Sequence, residues 1–289
     1  MAVARELRGV ATAVEIVSVD SMCVYRGLDI GTAKPSLQDR ALAAHHLIDL
    51  VEPDRDFSVA QFQREALAVL ASIGQRGAVA LLVGGTGLYV DAIVNGLTIP
   101  GQFPDVRAQL ERDAEALGAA ALHDRLQVLD PVAATRMEPS NARRIVRALE
   151  VTIGTGRPFS SFGPGLQATR AAVVTRMVAL RWPREALTYR IRVRVEAQIA
   201  AGFLDEARML VDRFGDSISR TAAQALGYRE LWEHLRGETS LDDAVEKIVL
   251  RSRQFAVRQE RWFRRDPRVE WLLADLPVDD LVASVLRRQ

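Results

Sequence analysis

Two hydrophobic periods alternate along the chain. Val14 to Val19 is a short β-branched run, which predicts a strand that delivers Asp20 and Ser21 at its carboxyl end. Apolar positions from Val59 to Ile73 recur at helical spacing. A second buried strand, Val79 to Val83, then runs directly into Gly84-Gly85-Thr86-Gly87 and a helix from Leu88. Strands alternating with helices predict a parallel α/β sheet with helices on its faces, and the functional edge of such a sheet lies beyond the carboxyl ends of its strands. Asp20 and the Gly84–Gly87 turn both fall at that edge.

From Asp105 to about Ile153 the pattern is wholly helical. Gly154-Thr155-Gly156-Arg157-Pro158 closes it, Phe162 to Gly165 reads as a loop, and Val173 to Leu180 as a returning strand. The organisation predicted is an α/β core built from residues 1–103 and 169–289, with a helical insertion at 104–168. Ala2 to Leu7 reads as the tail of a helix that stops near Gly9. The last hundred residues or so are predicted helical, ending in a long segment from Leu241 to Arg265. On that segment Arg251, Gln254, Arg258, Arg261 and Arg265 share one face, and Ile248, Phe255 and Trp262 form an adjoining stripe suited to core packing. The arginine face suits either an RNA backbone or surface ion pairs.

Composition narrows the class. A chain of 289 residues, 48% hydrophobic and 26% charged, buries a substantial core as one large domain or two smaller ones. The net charge of +1 does not by itself imply a nucleic-acid partner. Lys34 and Lys247 are the only lysines, and the arginine bias that results suits RNA and genomic base composition equally. Cys23 is the single cysteine, which excludes an intrachain disulfide and fits a reducing compartment. No run approaches the roughly 18–20 apolar residues of a membrane span, and the first residues carry no apolar signal core. A cytoplasmic monomer with no membrane partner is expected.

Candidate chemistry concentrates in Asp20-Ser-Met-Cys-Val-Tyr-Arg-Gly-Leu-Asp-Ile-Gly-Thr-Ala-Lys-Pro35. A carboxylate at a strand end is followed by Tyr25, Arg26, Thr32 and Lys34, an acceptor near donors suited to phosphate or a nucleobase. A polar connector with Asp20 as a helix cap is the plain alternative. The Gly84–Gly87 turn offers backbone N–H groups to an anion or base, and a tight turn needs the same glycines. Arg143, Arg144 and Arg147 lie within about one helical turn, as a phosphate-binding or simply solvated face. Adjacent His45 and His46, with no Cys or acidic ligand pattern, make a poor metal signature and predict a structural role.

The Asp20–Pro35 run resembles the signature D-S-x-Q-x-Y-x-x-x-D-I-G-T-A-K-P of tRNA dimethylallyltransferases, with Cys23 where the family usually has Gln. The resemblance continues in family order through His45-His46-Leu-Ile-Asp49, Val83-Gly-Gly-Thr-Gly-Leu-Tyr89, Asn141 to Glu150, Gln224 to Glu230 and Arg253 to Gln259. It implies a P-loop-NTPase-like parallel sheet with flanking helices, plus a small all-helical insertion domain that binds tRNA. The implied reaction is transfer of a dimethylallyl group from dimethylallyl diphosphate to the exocyclic amine of an adenosine beside the tRNA anticodon, with Mg2+ as cofactor. Asp20 matches the family's catalytic aspartate. Arg194 aligns best with the arginine that assists the leaving group, and Arg190 is second. Asp20, Ser21, Met22, Cys23, Thr86, Arg107, Arg143, Arg144 and Arg147 fall at tRNA-contacting positions by the same comparison.

A diphosphate-binding enzyme of this type uses G-x-x-x-x-G-K-[ST] between its first strand and first helix. Neither lysine of this chain follows a glycine, so the motif is not among the 289 residues. By the resemblance, the first strand and that loop would precede Met1. A sheet without them is therefore expected, with Thr32 and Lys34 as remaining diphosphate candidates and with tRNA binding accompanied by little prenyl transfer. Two other readings are a tRNA-binding homologue that does not transfer, and a nucleotide kinase relative whose loop has been lost.

Overall fold

The structure, a computed structural model, describes residues 13–162, 172, 173 and 175–286. The helix tail predicted at Ala2 to Leu7 and the loop residues Gly163 to Gly165 lie outside them. In chain order the elements are β1 (Val14–Ser18), α1 (Leu37–Leu42), β2 (His45–His46), α2 (Val59–Gln75), β3 (Val79–Val83), α3 (Gly87–Val94), α4 (Pro104–Leu129), α5 (Pro131–Ala134) and α6 (Ala142–Thr155). They continue with β4 (Met177–Arg181), α7 (Arg184–Ala200), α8 (Phe203–Phe214), α9 (Tyr228–Leu235), α10 (Leu241–Phe263), β5 (Val269–Leu273) and α11 (Val278–Leu286). The chain divides into two compact units, one from Met1–Val94 with Val174–Gln289, the other Asn95–Val173.

In the first unit β1 is the middle strand of a parallel sheet ordered β2-β1-β3, with Ile16 opposite His45 and Ile16 to Ser18 opposite Leu81 to Val83. A central parallel strand is covered on both faces, so its sequence reads as a nearly continuous apolar run; Val14, Ile16 and Val17 are buried accordingly. The cover on one side includes Val282 of α11, which packs on Val14 and Leu81. Ser58 caps α2 reciprocally with Gln61, a box that fixes where this helix starts.

The remaining strands form a separate parallel pair, β4 with β5, in register from Met177 opposite Val269 to Arg181 opposite Leu273. Two sequence expectations need correction here. The returning strand begins at Met177 rather than Val173, and the C-terminal region is not wholly helical, because β5 and α11 follow α10. Five residues, Val269-Glu-Trp-Leu-Leu273, are too few for periodicity to separate strand from helix, and their pairing partner lies far upstream. β2, of two residues, escapes detection for the same reason.

The described elements of the second unit are helical. α4 is two helical stretches joined at a kink, because Gly118, at φ 84° and ψ 162°, leaves the helical backbone. Leu110, Leu122 and Leu126 of α4 pack on Ile145, Val146 and Leu149 of α6. Each fully buried leucine contributes about 2 kcal/mol. Buried Asp130 caps α5 through the Ala133 N–H and also accepts from the Ser160 N–H and hydroxyl, so this loop carboxylate is satisfied within the unit.

Candidate active site

The carboxyl end of β1 meets the turn after β3. The Val19 N–H donates to the Val83 carbonyl at 2.8 Å and the Thr86 N–H returns a bond to Val19 at 3.3 Å. Gly84 is required here, since a Cβ on it would lie 2.3 Å from the Val19 carbonyl oxygen. The Thr86 hydroxyl accepts from the Ser21 N–H at 3.1 Å and donates to the Ser21 hydroxyl at 3.3 Å. Between these stitches Asp20 is half-buried, and its Oδ1 accepts from the N–H groups of Met22, at 2.7 Å, and Cys23, at 3.4 Å. No helix follows, so the carboxylate braces a turn rather than capping a helix. Among the described residues no donor reaches Oδ2, which leaves that oxygen open as an acceptor.

The loop that follows departs from two sequence expectations. Lys34 is almost completely buried, and its ammonium donates to the Tyr25 carbonyl, to Asp29 at 2.7 Å and to Asp49 at 2.7 Å. An ammonium has three donors, so none remains for a diphosphate. The Thr32 hydroxyl donates back to the Leu28 carbonyl. Both side chains are thus engaged within the loop and present no free donor to a diphosphate. Cys23 is buried; burial, with Asp20 adding to it, pushes its thiol up to about 11. The Cys23 side chain offers an RNA almost no surface, whereas Ser21 and Met22 remain partly exposed.

A second anchor on this loop has no signature in the sequence. The buried carboxylate of Glu206, on α8, accepts from the N–H groups of Asp29 at 2.9 Å, Ile30 at 2.8 Å and Gly31 at 3.1 Å, and from the Tyr228 hydroxyl at 2.7 Å. Successive backbone N–H groups converging on one point form an anion nest, filled here by the chain's own side chain. Gln198 donates to the Ile30 carbonyl at 2.7 Å. Gly31 admits no side chain, because a Cβ would meet the Phe203 ring at 2.3 Å. Tyr228 lies in the motif from Gln224 to Glu230, which is the one local hint; nothing near Glu206 announces its partner some 175 positions away.

The arginines differ in how far they are committed. Arg194, on α7, has no acid partner among the described residues, and the protein around it lowers its pKa by desolvation although the residue as a whole is exposed. Arg190 stacks over the Trp182 ring at 4.1 Å. In the second unit Arg107 and Arg147 both bond the buried carboxylate of Glu150, at 3.2 and 3.0 Å, and Arg147 also donates to the Pro100 carbonyl at 2.8 Å. They are held rather than freely extended. Arg143 and Arg144 are exposed and carry no acid partner among the described residues. On α10, Arg251 pairs with buried Glu230 and Arg258 lies over Phe255, while Arg265, just past the helix, lies over Trp262. The aromatic stripe is only partly core, since Phe255 remains exposed whereas the Trp262 indole donates to Asp91 at 3.0 Å.

His46 and His45 serve the sheet. His46 Nε2 lies 2.6 Å from Glu15 and His45 Nδ1 lies 2.7 Å from the Ala43 carbonyl. Among the described residues no three His, Cys, Asp or Glu side chains are arranged to hold a metal ion. No described helix is long and apolar enough to cross a membrane.

A family model described as IPP transferase matches residues 23–266. The chain belongs to the IPP transferase family. It is 47% identical to a tRNA dimethylallyltransferase of Roseiflexus sp. over 277 residues, 95% of this chain and 90% of that protein. A Nocardioides sp. protein of the same name is 45% identical over 98% of this chain and 89% of its own length. Among solved structures, the tRNA isopentenylpyrophosphate transferase of Bacillus halodurans superposes with a TM-score of 0.68 at 36% identity, covering 98% of this chain and 89% of the other. Membership in this family of prenyltransferases removes the nucleotide kinase reading.

Proposed function

We propose that this IPP transferase family member transfers a dimethylallyl group from dimethylallyl diphosphate to the exocyclic N6 amine of the adenosine beside a tRNA anticodon. The observation that carries the reading is Asp20: its Oδ1 is fixed by two backbone N–H groups while Oδ2 has no donor among the described residues. The adenine amine is a weak nucleophile, because its lone pair is delocalised into the ring. As the bond from N6 to the allylic carbon forms, the Asp20 carboxylate accepts an N6 proton, an effect worth roughly 10²–10⁴-fold for a positioned base. The bond from that carbon to the diphosphate oxygen breaks, and its electron pair leaves with the diphosphate. Arg194, with no acid partner among the described residues, supplies positive charge for the leaving group, with Arg190 second.

Ser21, Met22 and Thr86 flank the carboxylate and would meet the splayed-out anticodon loop, which such enzymes read as single-stranded bases. Arg143 and Arg144 would follow the phosphates of the stem-loop, and Arg107 and Arg147 could add only the donors Glu150 leaves them. Magnesium supplies charge to a departing diphosphate. Among the described residues no three His, Cys, Asp or Glu side chains are grouped to hold it by themselves, so it would come with the diphosphate.

The test incubates labelled dimethylallyl diphosphate and tRNA with the protein and with its Asp20→Ala variant. Both proteins are expected to retain tRNA over unrelated RNA, and the wild type to incorporate label that Asp20→Ala abolishes without loss of retention. Undiminished label in Asp20→Ala excludes Asp20 as the base. Failure of both proteins to retain tRNA overturns the reading.

A further inference from the structure

The backbone that aims the Asp20 carboxylate is itself held from outside. Asp20 Oδ1 takes the N–H groups of Met22 and Cys23. On the far side of Cys23 the Asp49 N–H donates to the Cys23 carbonyl at 3.0 Å. A peptide unit is planar, so gripping the unit before the Cys23 Cα and the unit after it leaves the two torsions between them little freedom. The seam continues: Leu50 and Val51 both donate to the Val24 carbonyl, at 2.7 and 3.0 Å, and the Arg26 N–H returns a bond to Val51 at 2.9 Å. Cys23, Val24 and Tyr25 are buried along it.

The Asp49 side chain grips the same stretch by a second route. Its Oδ1 accepts from Lys34 Nζ at 2.7 Å and its Oδ2 from Arg40 at 2.8 Å. The Lys34 ammonium, almost wholly buried, donates in turn to the Tyr25 carbonyl. Burial alone would raise the Asp49 carboxyl; Lys34 and then Arg40 outweigh it and hold the group below its ordinary range, so it is anionic at neutral pH. The arrangement is kept against backbone preference. Among the described residues, Ala33, Leu47 and Asp49 are those other than glycine with positive φ, at 52°, 63° and 57°. Each lies within two positions of Lys34 or Asp49. Left-handed backbone costs energy in such residues and persists where the surroundings over-determine it, a pattern concentrated at functional sites.

We propose that Asp49 is a positioning residue for the transfer: through the Cys23 carbonyl and, by way of Lys34, the Tyr25 carbonyl, it sets the N–H groups that aim the Asp20 carboxylate. This rests on the reading of Asp20 as the base given above. Asp49 touches no reacting atom. Its backbone and its charge act on the same three residues, 23 to 25, that follow the reactive edge.

The test compares wild type with Asp49→Asn, which keeps the side-chain size, the backbone N–H and a residue tolerant of left-handed backbone, but removes the charge that holds Lys34 and Arg40. Label transfer from dimethylallyl diphosphate is read as kcat and KM, tRNA binding as affinity and stoichiometry, and the loop as hydrogen exchange at the Met22 and Cys23 amides. The variant is expected to lose roughly tenfold in kcat, less than the hundredfold of a full ångström misplacement because the backbone bonds remain. KM and affinity for tRNA stay near wild type, binding stays at full stoichiometry, and both amides exchange faster. Wild-type kcat, a kcat loss with unaltered exchange at both amides, or a rise in KM matching the loss in kcat each overturns the assignment. Reduced stoichiometry in step with kcat overturns it too, since that marks lost fold rather than lost aim. Should Asp49→Asn not fold, Arg40→Gln, which loosens only the more exposed cation on Asp49, is read by the same criteria with a smaller kcat loss expected. If wild type retains no tRNA over unrelated RNA and transfers no label, the reading of the site itself falls and takes the assignment with it.

Discussion

Ser21 donates its backbone N–H to the Thr86 hydroxyl across 3.1 Å, joining the end of one strand to the turn after another. That bond sits next to Asp20 and holds the edge of the sheet at which the carboxylate is presented. Thr86→Val keeps the shape and removes the acceptor, leaving a partly buried N–H unpaired. Stability is expected to fall by about 1 kcal/mol, read as a lower urea midpoint. An unchanged midpoint would show that the stitch is incidental to the turn.

Lys34→Met should be among the more damaging single changes in the loop. It leaves Asp29, Asp49 and the Tyr25 carbonyl without their shared cation. Because both carboxylates keep some solvent, the expected cost lies toward the low end for a broken buried pair, about 3 kcal/mol. Urea unfolding measures it. Wild-type stability with weakened diphosphate binding would instead return Lys34 to the substrate.

Glu206→Gln replaces an acceptor oxygen by an amide donor facing backbone N–H groups. A loss of about 2–3 kcal/mol is expected, the cost of donors left unpaired in a buried site. Hydrogen exchange at Asp29, Ile30 and Gly31 should accelerate in the same variant. Protection as strong as in wild type would mean that these amides are held by something else.

The acid limb of stability should carry a contribution from Glu15. Arg76 first, then His46, hold its carboxyl below the ordinary value of 4.5. A carboxylate with a depressed folded pKa stabilises the native state above its unfolded pKa, and that contribution disappears as pH falls through the folded pKa. The stability difference between wild type and Glu15→Gln is therefore expected to shrink as pH falls below about 4.5. Urea midpoints across pH 3–7 check it; a difference independent of pH removes Glu15 from the account.

What the sequence discloses depends on how local each signal is. β1, α2, β3 and the helices from Pro104 to Thr155 are legible because each has a period of its own or ends in glycine. The Asp20 edge is legible because strand ends and the Gly84–Gly87 turn follow from the parallel α/β pattern. β5 is not, since five residues carry no period and pair with a strand formed far upstream. Side-chain commitments are hidden for a related reason. Nothing in the order of residues says that Lys34 is consumed by two aspartates, or that Arg107 and Arg147 share Glu150.

Cys23, buried beside Asp20 and the only thiol in the chain, makes the loop its own clock. A disulfide reagent cannot reach sulfur in the closed form, and the protonated thiol would react slowly even if it could. Labelling therefore proceeds only through excursions that lift residues 20–34 off the sheet, and its rate counts them. Added stem-loop RNA should slow that rate in proportion to occupancy, giving an occupancy gauge at the reactive edge that requires no dye, no turnover and no substitution.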